Sequence, residues 1–448
     1  MTADVIPAEL SKACGEVRPA DEADSVAGVR PGFVATPAST QEAGALLTAA
    51  AELGLAVVPR GTGTRLDWGD PPSRCDLVVD TQRLDAVLEH AAGDLVVRVQ
   101  AGARLSRLAD VLAAAGQRLA LDPPAIAARY PGPAELGEPG GTVGGLIATG
   151  VAGPLRLRYG APRDLLIGIT LVRADGTVAR AGGKVVKNVA GYDIGKLLAG
   201  SYGTLGLITE ATFRLHPRPP AAAYVSMASP DPETAAAALL TAGGSPLAPS
   251  AAELDWPAGG APLATSVLLE GDAEGVAERA ARLAGLLGTA TVSDVPPPWW
   301  GAGPAAAAGG TVLRIAFWAG RLAAVLAAIR AAAAMTGGDP AVGGSAAAGV
   351  LHAAVPGSAP PNEVTGFVTA LRAELRDGPA AAAADGMPAG ILPAGAGTSV
   401  IVLHAPPAVR EAVDVWGPVP ALALMRAVKD QFDPEHRLAP GRFAGRTS

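Results

Sequence analysis

One glycine-rich stretch decides the fold: Pro139-Gly140-Gly141-Thr142-Val143-Gly144-Gly145, which leads into an apolar run. Four of the six residues from position 140 to 145 are glycines. Because glycines lack Cβ atoms, the N–H groups of such a stretch can close on an anion where a helix begins. A dinucleotide pyrophosphate requires a backbone of this kind. A mobile loop has a similar composition, so the interpretation depends on the segments around the stretch.

A second glycine-bearing loop follows a short predicted strand. Residues 56–60 read Ala-Val-Val-Pro-Arg and lead directly into Gly61-Thr62-Gly63-Thr64. A strand that runs into a glycine loop is the setting in which backbone amides meet phosphate. A plain turn is the alternative for this loop taken by itself.

Composition and charge exclude several classes of protein. A chain of 448 residues exceeds the size of a single core, which predicts at least two domains. A net charge of −7 offers no basic surface for nucleic acid. Two cysteines, Cys14 and Cys75, are too few for a disulfide framework, a zinc site or an iron–sulfur cluster. The apolar stretch at 322–335 is too short for a transmembrane helix and the N-terminus lacks a signal-peptide core, so we expect a cytoplasmic protein with no transmembrane segment.

The first half of the chain alternates helices and strands. Ser39-Thr40-Gln41-Glu42 predicts a capping box for a helix at 41–53, and Asp175-Gly176 predicts a hairpin turn. A second helix is expected at about 104–115. Strands are predicted at 56–60, 77–80, 95–100, 119–121, 165–172 and 207–215.

The proline-rich residues 216–220 mark a domain boundary, because such a segment cannot continue a sheet. Beyond it, predicted helices alternate with predicted strands as in a split βαβ fold. The helices are expected at 232–240, 273–287, 321–335 and 362–375, and the strands at 266–269, 311–317, 349–354 and 398–403. Three tracts rich in Ala, Gly and Pro are predicted to be surface loops: 301–310, 337–348 and 378–397.

Taken in order, the motifs resemble those of the vanillyl-alcohol-oxidase, or PCMH-type, family of FAD-binding flavoproteins, and most closely its E-type glycolate oxidase subunits. The matching segments are residues 59–64, 140–145, 187–193, 203–206 and 434–442. Thr62 and Ala439 depart from the family pattern, which has glycine and asparagine at these positions. The resemblance implies an α+β fold with a PCMH-type FAD-binding domain of two α/β subdomains and a ferredoxin-like (split βαβ) cap domain. The implied segments are a lead-in at 1–34, the FAD-binding domain at 35–220, the cap or substrate domain at 221–410 and a C-terminal return at 411–448.

The resemblance also implies which residues contact a non-covalently bound FAD. They are Arg60, Gly61, Thr62, Gly63 and Thr64 in the first loop, Gly140, Thr142, Gly144 and Gly145 in the second, and Gly206 and Ile208 further on. No histidine or cysteine lies in the first loop to form a covalent bond to the flavin. Lys187, Asn188 and Tyr192 match the family as well, either as flavin contacts or as part of a sheet-capping turn.

The sequence assigns no catalytic residues. By resemblance, relatives that oxidise 2-hydroxy acids unaided carry a cluster of histidines and acids that holds a metal. Here no two of the five histidines lie within four residues of each other, so we expect no local metal cluster. His352 and His404 lie in predicted strands, where each is either a packed side chain or a base.

The resemblance implies partners too. An E-type subunit works beside a D-type FAD subunit that carries the hydroxy-acid site and an F-type iron–sulfur subunit that passes electrons on. The chain is therefore interpreted as an FAD-binding redox subunit of a glycolate (2-hydroxy-acid) oxidase, held at the inner face of the membrane through its complex. Two alternatives stay open: a self-sufficient FAD-dependent oxidoreductase of another substrate, and a flavin-binding scaffold without a catalytic site of its own.

Overall fold

The structure is a computed structural model that describes residues 5–122, 141–184, 192–304, 309–377 and 397–445. Its first sheet has four strands in the order β1, β2, β4, β3. Their bounds are β1 Val17–Pro19, β2 Phe33–Ala35, β3 Val57–Arg60 and β4 Leu77–Asp80. The last three strands are parallel to one another and β1 is antiparallel to β2. Helices α1 (Val5–Ala13) and α2 (Thr40–Glu52) bury Leu10, Leu46 and Leu47 against this sheet.

Helix α2 begins with the predicted serine cap but not with the predicted capping box. Ser39 Oγ accepts a hydrogen bond of 3.0 Å from the Glu42 N–H. The Glu42 carboxylate instead accepts from the N–H groups of Gly15 (2.6 Å) and Ala38 (2.7 Å). Glu42 therefore joins the end of α1 to the start of α2, a tertiary contact that a local sequence pattern cannot anticipate.

The second sheet is a five-stranded antiparallel sheet in the order β5, β6, β10, β8, β9. The bounds are β5 Val87–Ala91, β6 Val96–Gln100, β8 Leu166–Val172, β9 Val178–Gly182 and β10 Leu207–Arg214. Helices α3 (Leu105–Ala113) and α4 (Val143–Thr149) contribute Leu108, Leu112, Leu146 and Ile147 to its core. The predicted Asp-Gly turn joins β8 to β9, with Gly176 at a φ of +84°. Three short helices complete this part of the chain: α5 Arg156–Tyr159, α6 Pro162–Leu165 and α7 Ile194–Leu198.

The prediction of a strand at 119–121 is wrong. The prediction that the proline-rich residues 216–220 take no part in a sheet is also wrong. The pairing residues are β7 (Gln117–Arg118) and β11 (His216–Pro217), which form a two-stranded antiparallel ribbon. The buried Gln117 side chain joins this ribbon to the end of β5, because it donates a 2.7 Å hydrogen bond to the Ala92 carbonyl and is bonded to His90 at 2.9 Å.

The third sheet has eight antiparallel strands in the order β15, β12, β14, β13, β17, β18, β16, β19. The bounds are β12 Ala221–Ser229, β13 Ala251–Trp256, β14 Leu263–Gly271, β15 Thr291–Ser293, β16 Thr311–Ala316, β17 Ala341–Gly344, β18 Val350–Val355 and β19 Ser399–His404. The interleaved helices are α8 Pro232–Gly243, α9 Ala273–Leu287, α10 Leu322–Thr336 and α11 Pro361–Asp377. The chain thus passes twice through β-α-β-β-α-β, each half has the split βαβ strand order, and the halves join where β13 pairs with β17.

The predicted split βαβ fold is therefore present in two copies rather than one. Strands β13 and β17 escape prediction because they contain few β-branched residues, and β17 lies inside a tract predicted as a surface loop. Val342 and Ala346 of that tract are buried, which makes the loop prediction wrong for 337–348. Residues 305–308 and 378–396 of the other two tracts lie outside the described residues.

The eight-stranded sheet has a core on each face. Leu313 faces the core formed with α8 to α11, whereas its neighbour Val312 joins the core of the five-stranded sheet, as strand alternation requires. Within the described residues, the segment Ala319–Thr336 is long and apolar enough to cross a membrane by length and composition alone. Helix α10 in this segment buries Leu322, Val325 and Ile329 in the first of these cores. The division of the chain at 220 and 410 stays a prediction.

The C-terminal segment returns to the first sheet. After α12 (Pro407–Ala412) and α13 (Leu422–Phe432), the N–H of Ala439 donates to the Val57 carbonyl at 2.8 Å. The buried Lys429 ammonium donates to the carbonyls of Thr204 (2.8 Å) and Leu438 (2.9 Å) and to the Asp433 carboxylate (2.6 Å). Ala439 has a φ of +45°, a backbone conformation that asparagine adopts more readily than alanine.

Candidate functional site

A cavity lies where three of the segments that resemble the FAD-binding family meet. The loop after β3, the start of α4 and the turn that enters β10 form its walls, and Arg442 of the C-terminal segment also lines it. The structure brings together every predicted contact that it describes: Arg60, Gly61, Thr62, Gly63, Thr64, Thr142, Gly144, Gly145, Gly206 and Ile208. Gly140, Lys187 and Asn188 lie outside the described residues, and Tyr192 is 91% exposed.

The first loop presents backbone donors to the cavity. Among the described residues, none accepts a hydrogen bond from the N–H groups of residues 61–64. Thr62 is buried, and Gly63 has a φ of +77°, which favours glycine. Since buried N–H groups are nearly always paired in proteins, this row of donors fits an anionic ligand.

The second glycine cluster works differently from the prediction. The N–H groups of Val143 and Gly144 donate to Ala103 (3.0 Å) and Ala101 (2.7 Å), and that of Gly145 donates to Thr142 Oγ1 (3.2 Å). These donors are engaged within the protein, so they do not offer a free anion cradle. The glycines here allow close packing instead.

Two close approaches require glycine at the cavity. A Cβ on Gly61 would lie 2.2 Å from Thr142 Oγ1, so the first loop rests directly on the cap of α4. A Cβ on Gly144 would lie 2.9 Å from the Ala101 Cβ and 3.1 Å from the Ala101 carbonyl oxygen. Real Cβ contacts are rarely so short. The two predicted loops therefore hold each other in place.

Arg60 lines the cavity, but its charge is balanced inside the fold. Its guanidinium donates to Asp24 at 2.8 Å and to Asp80 at 2.8 Å. Burial acts to raise the pKa of Asp24, but hydrogen bonds from Arg18, Arg60 and the Asp21 N–H outweigh it and lower that pKa. A contact between Arg60 and a ligand would therefore come from its backbone.

Arg65 is the residue of this site that the sequence interpretation missed. It lines the cavity, its residue is 7% exposed, and its Nε and Nη2 atoms are buried without a hydrogen-bond partner in the described chain. Its guanidinium lies 5.6 Å from the centre of the Trp68 ring, and burial lowers its pKa to about 10. A buried cation without a counter-charge is costly, so Arg65 fits a site that receives an anion. Its position directly after the glycine loop is the sequence signal that could have revealed it.

Arg442 belongs to the Pro-Gly-Arg motif of the C-terminal segment and closes the same cavity. It is 3% exposed and donates to the carbonyls of Leu66 (2.8 Å) and Trp68 (2.9 Å). Burial lowers its pKa to about 10. Arg442 therefore fixes the end of the first loop and adds a second positive charge.

A family model described as an FAD binding domain matches residues 31–182. This part of the chain is an FAD binding domain. The FAD cofactor and the PCMH-type fold predicted from the sequence are thereby confirmed, and the unpaired donors of the first loop and of Arg65 suit the pyrophosphate of that cofactor.

Curated relatives match somewhat less than half of the chain. The chain is 35% identical over 189 residues to glycolate oxidase subunit GlcD of Bacillus subtilis, covering 42% of this chain and 38% of the relative. It is 38% identical over 185 residues to D-lactate dehydrogenase of Archaeoglobus fulgidus (41% and 39%), and 35% identical over 163 residues to glycolate oxidase subunit GlcE of Escherichia coli (36% and 43%). The matches thus span less than half of each relative's length.

The likeness in fold extends beyond the FAD binding domain. A solved structure of alkyldihydroxyacetonephosphate synthase superposes with a TM-score of 0.62 at 16% identity, covering 92% of this chain and 76% of that chain. At this identity the comparison establishes the shared fold alone.

A second cavity adjoins the FAD cavity. Tyr202 and Thr149 line both. Tyr202 has a φ of +56°, and its ring lies edge-on to Trp416 at 5.1 Å between centroids. Its hydroxyl group is buried without a hydrogen-bond partner in the described chain. Tyr202 is therefore the shared wall between the two cavities.

The two histidines considered as bases do not line either cavity. His352 lies on β18 opposite Arg314, and burial together with the charges of Arg314 and Arg156 lowers its pKa to about 3. His404 Nδ1 is hydrogen-bonded to the Asp67 carboxylate. No group of three metal-ligating side chains is found among the described residues. Neither histidine is therefore assigned as a catalytic base.

The flavin is expected to leave the polypeptide on acid or heat denaturation, because the residues lining the FAD cavity in the described chain include no histidine or cysteine. The measurement is flavin absorbance in the filtrate and in the precipitate after denaturation. A yellow precipitate that survives washing in denaturant would contradict non-covalent binding.

Proposed function

We propose that this chain is an FAD-dependent oxidoreductase that acts on a 2-hydroxy acid, as the FAD-binding redox subunit of a complex of the glycolate oxidase type. The observation that carries the proposal is the cavity of the FAD binding domain, where the N–H groups of residues 61–64 and the Arg65 Nε and Nη2 atoms have no hydrogen-bond partner among the described residues. The names of the relatives support the substrate class, since they include two glycolate oxidase subunits and a D-lactate dehydrogenase.

Each part of the cavity has a proposed role toward FAD. The N–H groups of residues 61–64 and the Arg65 guanidinium hold the pyrophosphate, while Thr142, Gly144 and Gly145 set the width of the cavity. Gly206 and Ile208 line it at the entry to β10. FAD bound here would supply hydride-transfer chemistry, and the protein would supply position and electrostatics.

Electrons are proposed to leave through partner subunits. Cys14 and Cys75 are both buried, and burial raises the pKa of Cys75 to about 12, which opposes the thiolate form that an iron–sulfur cluster needs. A D-type FAD subunit and an F-type iron–sulfur subunit are the proposed partners. The similarity to GlcD and GlcE supports this choice.

The second candidate function is a self-sufficient FAD-dependent oxidoreductase. The adjoining cavity favours it, because Arg156, Arg163 and Arg314 line a space that shares Tyr202 with the FAD cavity. The two candidates differ in whether the lone chain turns over substrate.

The isolated chain is expected to be a poor 2-hydroxy-acid dehydrogenase. Removing a hydride from a hydroxy acid also requires a base for the hydroxyl proton, and neither His352 nor His404 lines a cavity. Stopped-flow mixing with glycolate, D-lactate and D-2-hydroxyglutarate should give slow flavin reduction or none. Coexpression with D-type and F-type subunits should restore turnover. Rapid reduction of the lone chain, unaffected by a chelator, would make the self-sufficient enzyme the correct function.

A further inference from the structure

The second cavity carries positive charge that the described fold does not balance. Arg156 of α5 and Arg314 of β16 both line it, and neither side chain forms an ion pair or hydrogen bond with another described residue. The Nε atom of Arg314 is buried without a partner. Burial, followed by the nearby charge of Arg314, lowers the pKa of Arg156. Arg163 adds a third guanidinium, which is exposed.

Three acidic residues, Glu253, Asp164 and Asp122, act on Arg156 through their charges, but within the described chain none of them forms an ion pair with it. Burial raises the pKa of Glu253 to about 8, and that of Asp122 to about 7. Glu253 is bonded to the Ser345 hydroxyl at 2.6 Å, and the Asp122 carboxylate accepts 3.1 Å hydrogen bonds from the Leu155 N–H. Both carboxyl groups are thus committed to neighbours other than the two arginines. The described residues that line the cavity include three arginines and no acidic residue.

Other residues that line the same cavity are apolar and aromatic. Trp416 and Phe443 line it with ring centroids 5.0 Å apart, and Trp416 also contacts the Tyr202 ring. Met425 and Ile401 extend this wall. An aromatic surface of this kind suits a ligand with an apolar substituent, which a two-carbon acid lacks.

We propose that the second cavity binds an organic carboxylate, with its anionic end on Arg156 and Arg314 and its apolar body against Trp416 and Phe443. The ligand class deepens the proposed function and rests on it: a 2-hydroxy acid, or its 2-oxo product, with a large apolar substituent. Tyr202 lines both cavities, so its buried hydroxyl is placed to bond to a ligand that lies next to the flavin. Arg314 is a binding and specificity residue in this proposal.

An arginine that serves to bind a ligand, and is unpaired without it, is expected to lower the stability of the ligand-free fold. Replacing a partly buried, unpaired charge by an apolar side chain of similar length is often stabilising. The ligand-free Arg314→Met variant is therefore expected to unfold at the same temperature as the wild type or higher. A purely structural arginine would give the opposite result.

The test uses FAD-loaded full-length protein and 3-phenylpropanoate, which resembles the proposed ligand but lacks the reactive hydroxyl. Binding is measured by titration calorimetry and by the change in the visible flavin spectrum, with acetate as the small carboxylate. Wild-type protein should bind 3-phenylpropanoate more tightly than acetate. Arg314→Met should weaken binding by roughly thirtyfold or more, as loss of one partner of a desolvated charge pair does.

Three further variants keep the test decisive. Arg156→Met should weaken binding as well, and Arg314→Lys should bind with intermediate affinity because the charge is kept but the planar fork is lost. Arg330→Met is the matched control, since that arginine is 54% exposed and pairs with Glu233 on the outer helical layer. Equal binding by wild type and Arg314→Met would overturn the proposal. Absence of binding to wild type that carries a full complement of FAD would also overturn it, while the cofactor assignment would stand.

Discussion

Arg65→Met is expected to give a folded protein that purifies without flavin. The substitution removes the guanidinium that lines the FAD cavity, where its Nε and Nη2 atoms have no partner in the described chain. Losing one member of a desolvated charge pair costs about 2–5 kcal/mol of binding free energy. The fold itself should not suffer, because an unpaired buried charge is replaced by an apolar chain of similar length.

The measurement combines the flavin-to-protein ratio after purification, reconstitution of apoprotein with FAD, and thermal unfolding of both apoproteins. Arg330→Met serves again as the control, because it removes an exposed arginine far from the cavity lining. A yellow Arg65→Met protein with a full complement of flavin would refute the role of Arg65. A loss of flavin accompanied by a much lower unfolding temperature of the apoprotein would assign Arg65 to the fold instead.

Gly144→Asp is expected to abolish FAD binding. Its Cβ would lie 2.9 Å from the Ala101 Cβ and 3.1 Å from the Ala101 carbonyl oxygen, so the start of α4 would have to move. Overpacking of this kind typically costs about 1–3 kcal/mol. The carboxylate would in addition place negative charge in a cavity proposed to hold a pyrophosphate, which like-charge repulsion and desolvation oppose.

The purified Gly144→Asp protein should be colourless, and circular dichroism should show that its secondary structure remains. Gly144→Ala separates the two causes, because it introduces the close contact without the charge. Gly93→Ala is the control, since its Cβ would meet no atom within 4 Å. Full retention of the flavin spectrum by Gly144→Asp would remove the second loop from the site.

Strands β3, β4, β6, β8 and β10 could be predicted because their signal is local. The β-branched and leucine-rich runs at 77–80, 165–172 and 207–215 favour strands whatever their neighbours do. Strands β13 and β17 have weaker signals, since their alanines and glycines become strands only because adjacent strands offer hydrogen-bond partners. The duplication of the split βαβ unit follows from that pairing, so the local sequence pattern could not reveal it.

The candidate site shows the same difference between features with a local sequence signal and features that depend on the folded state. The first glycine loop was recognisable because it follows a strand directly, which is a local pattern. Arg65 was missed because its importance lies in being buried without a partner, a property of the folded state. The resemblance assigned Arg60 to the site, but Asp24 and Asp80 hold its guanidinium. The need for glycine at Gly61 also comes from a distant residue, Thr142.

A structure of the purified FAD-loaded protein tests the central claim most directly. We expect the pyrophosphate oxygens to lie about 3 Å from the N–H groups of residues 61–64 and from the Arg65 guanidinium, which is the ordinary length of such hydrogen bonds. The dinucleotide should occupy the cavity that Thr142, Gly206 and Arg442 also line. A pyrophosphate bound elsewhere, with Arg65 paired to a protein carboxylate, would contradict the account.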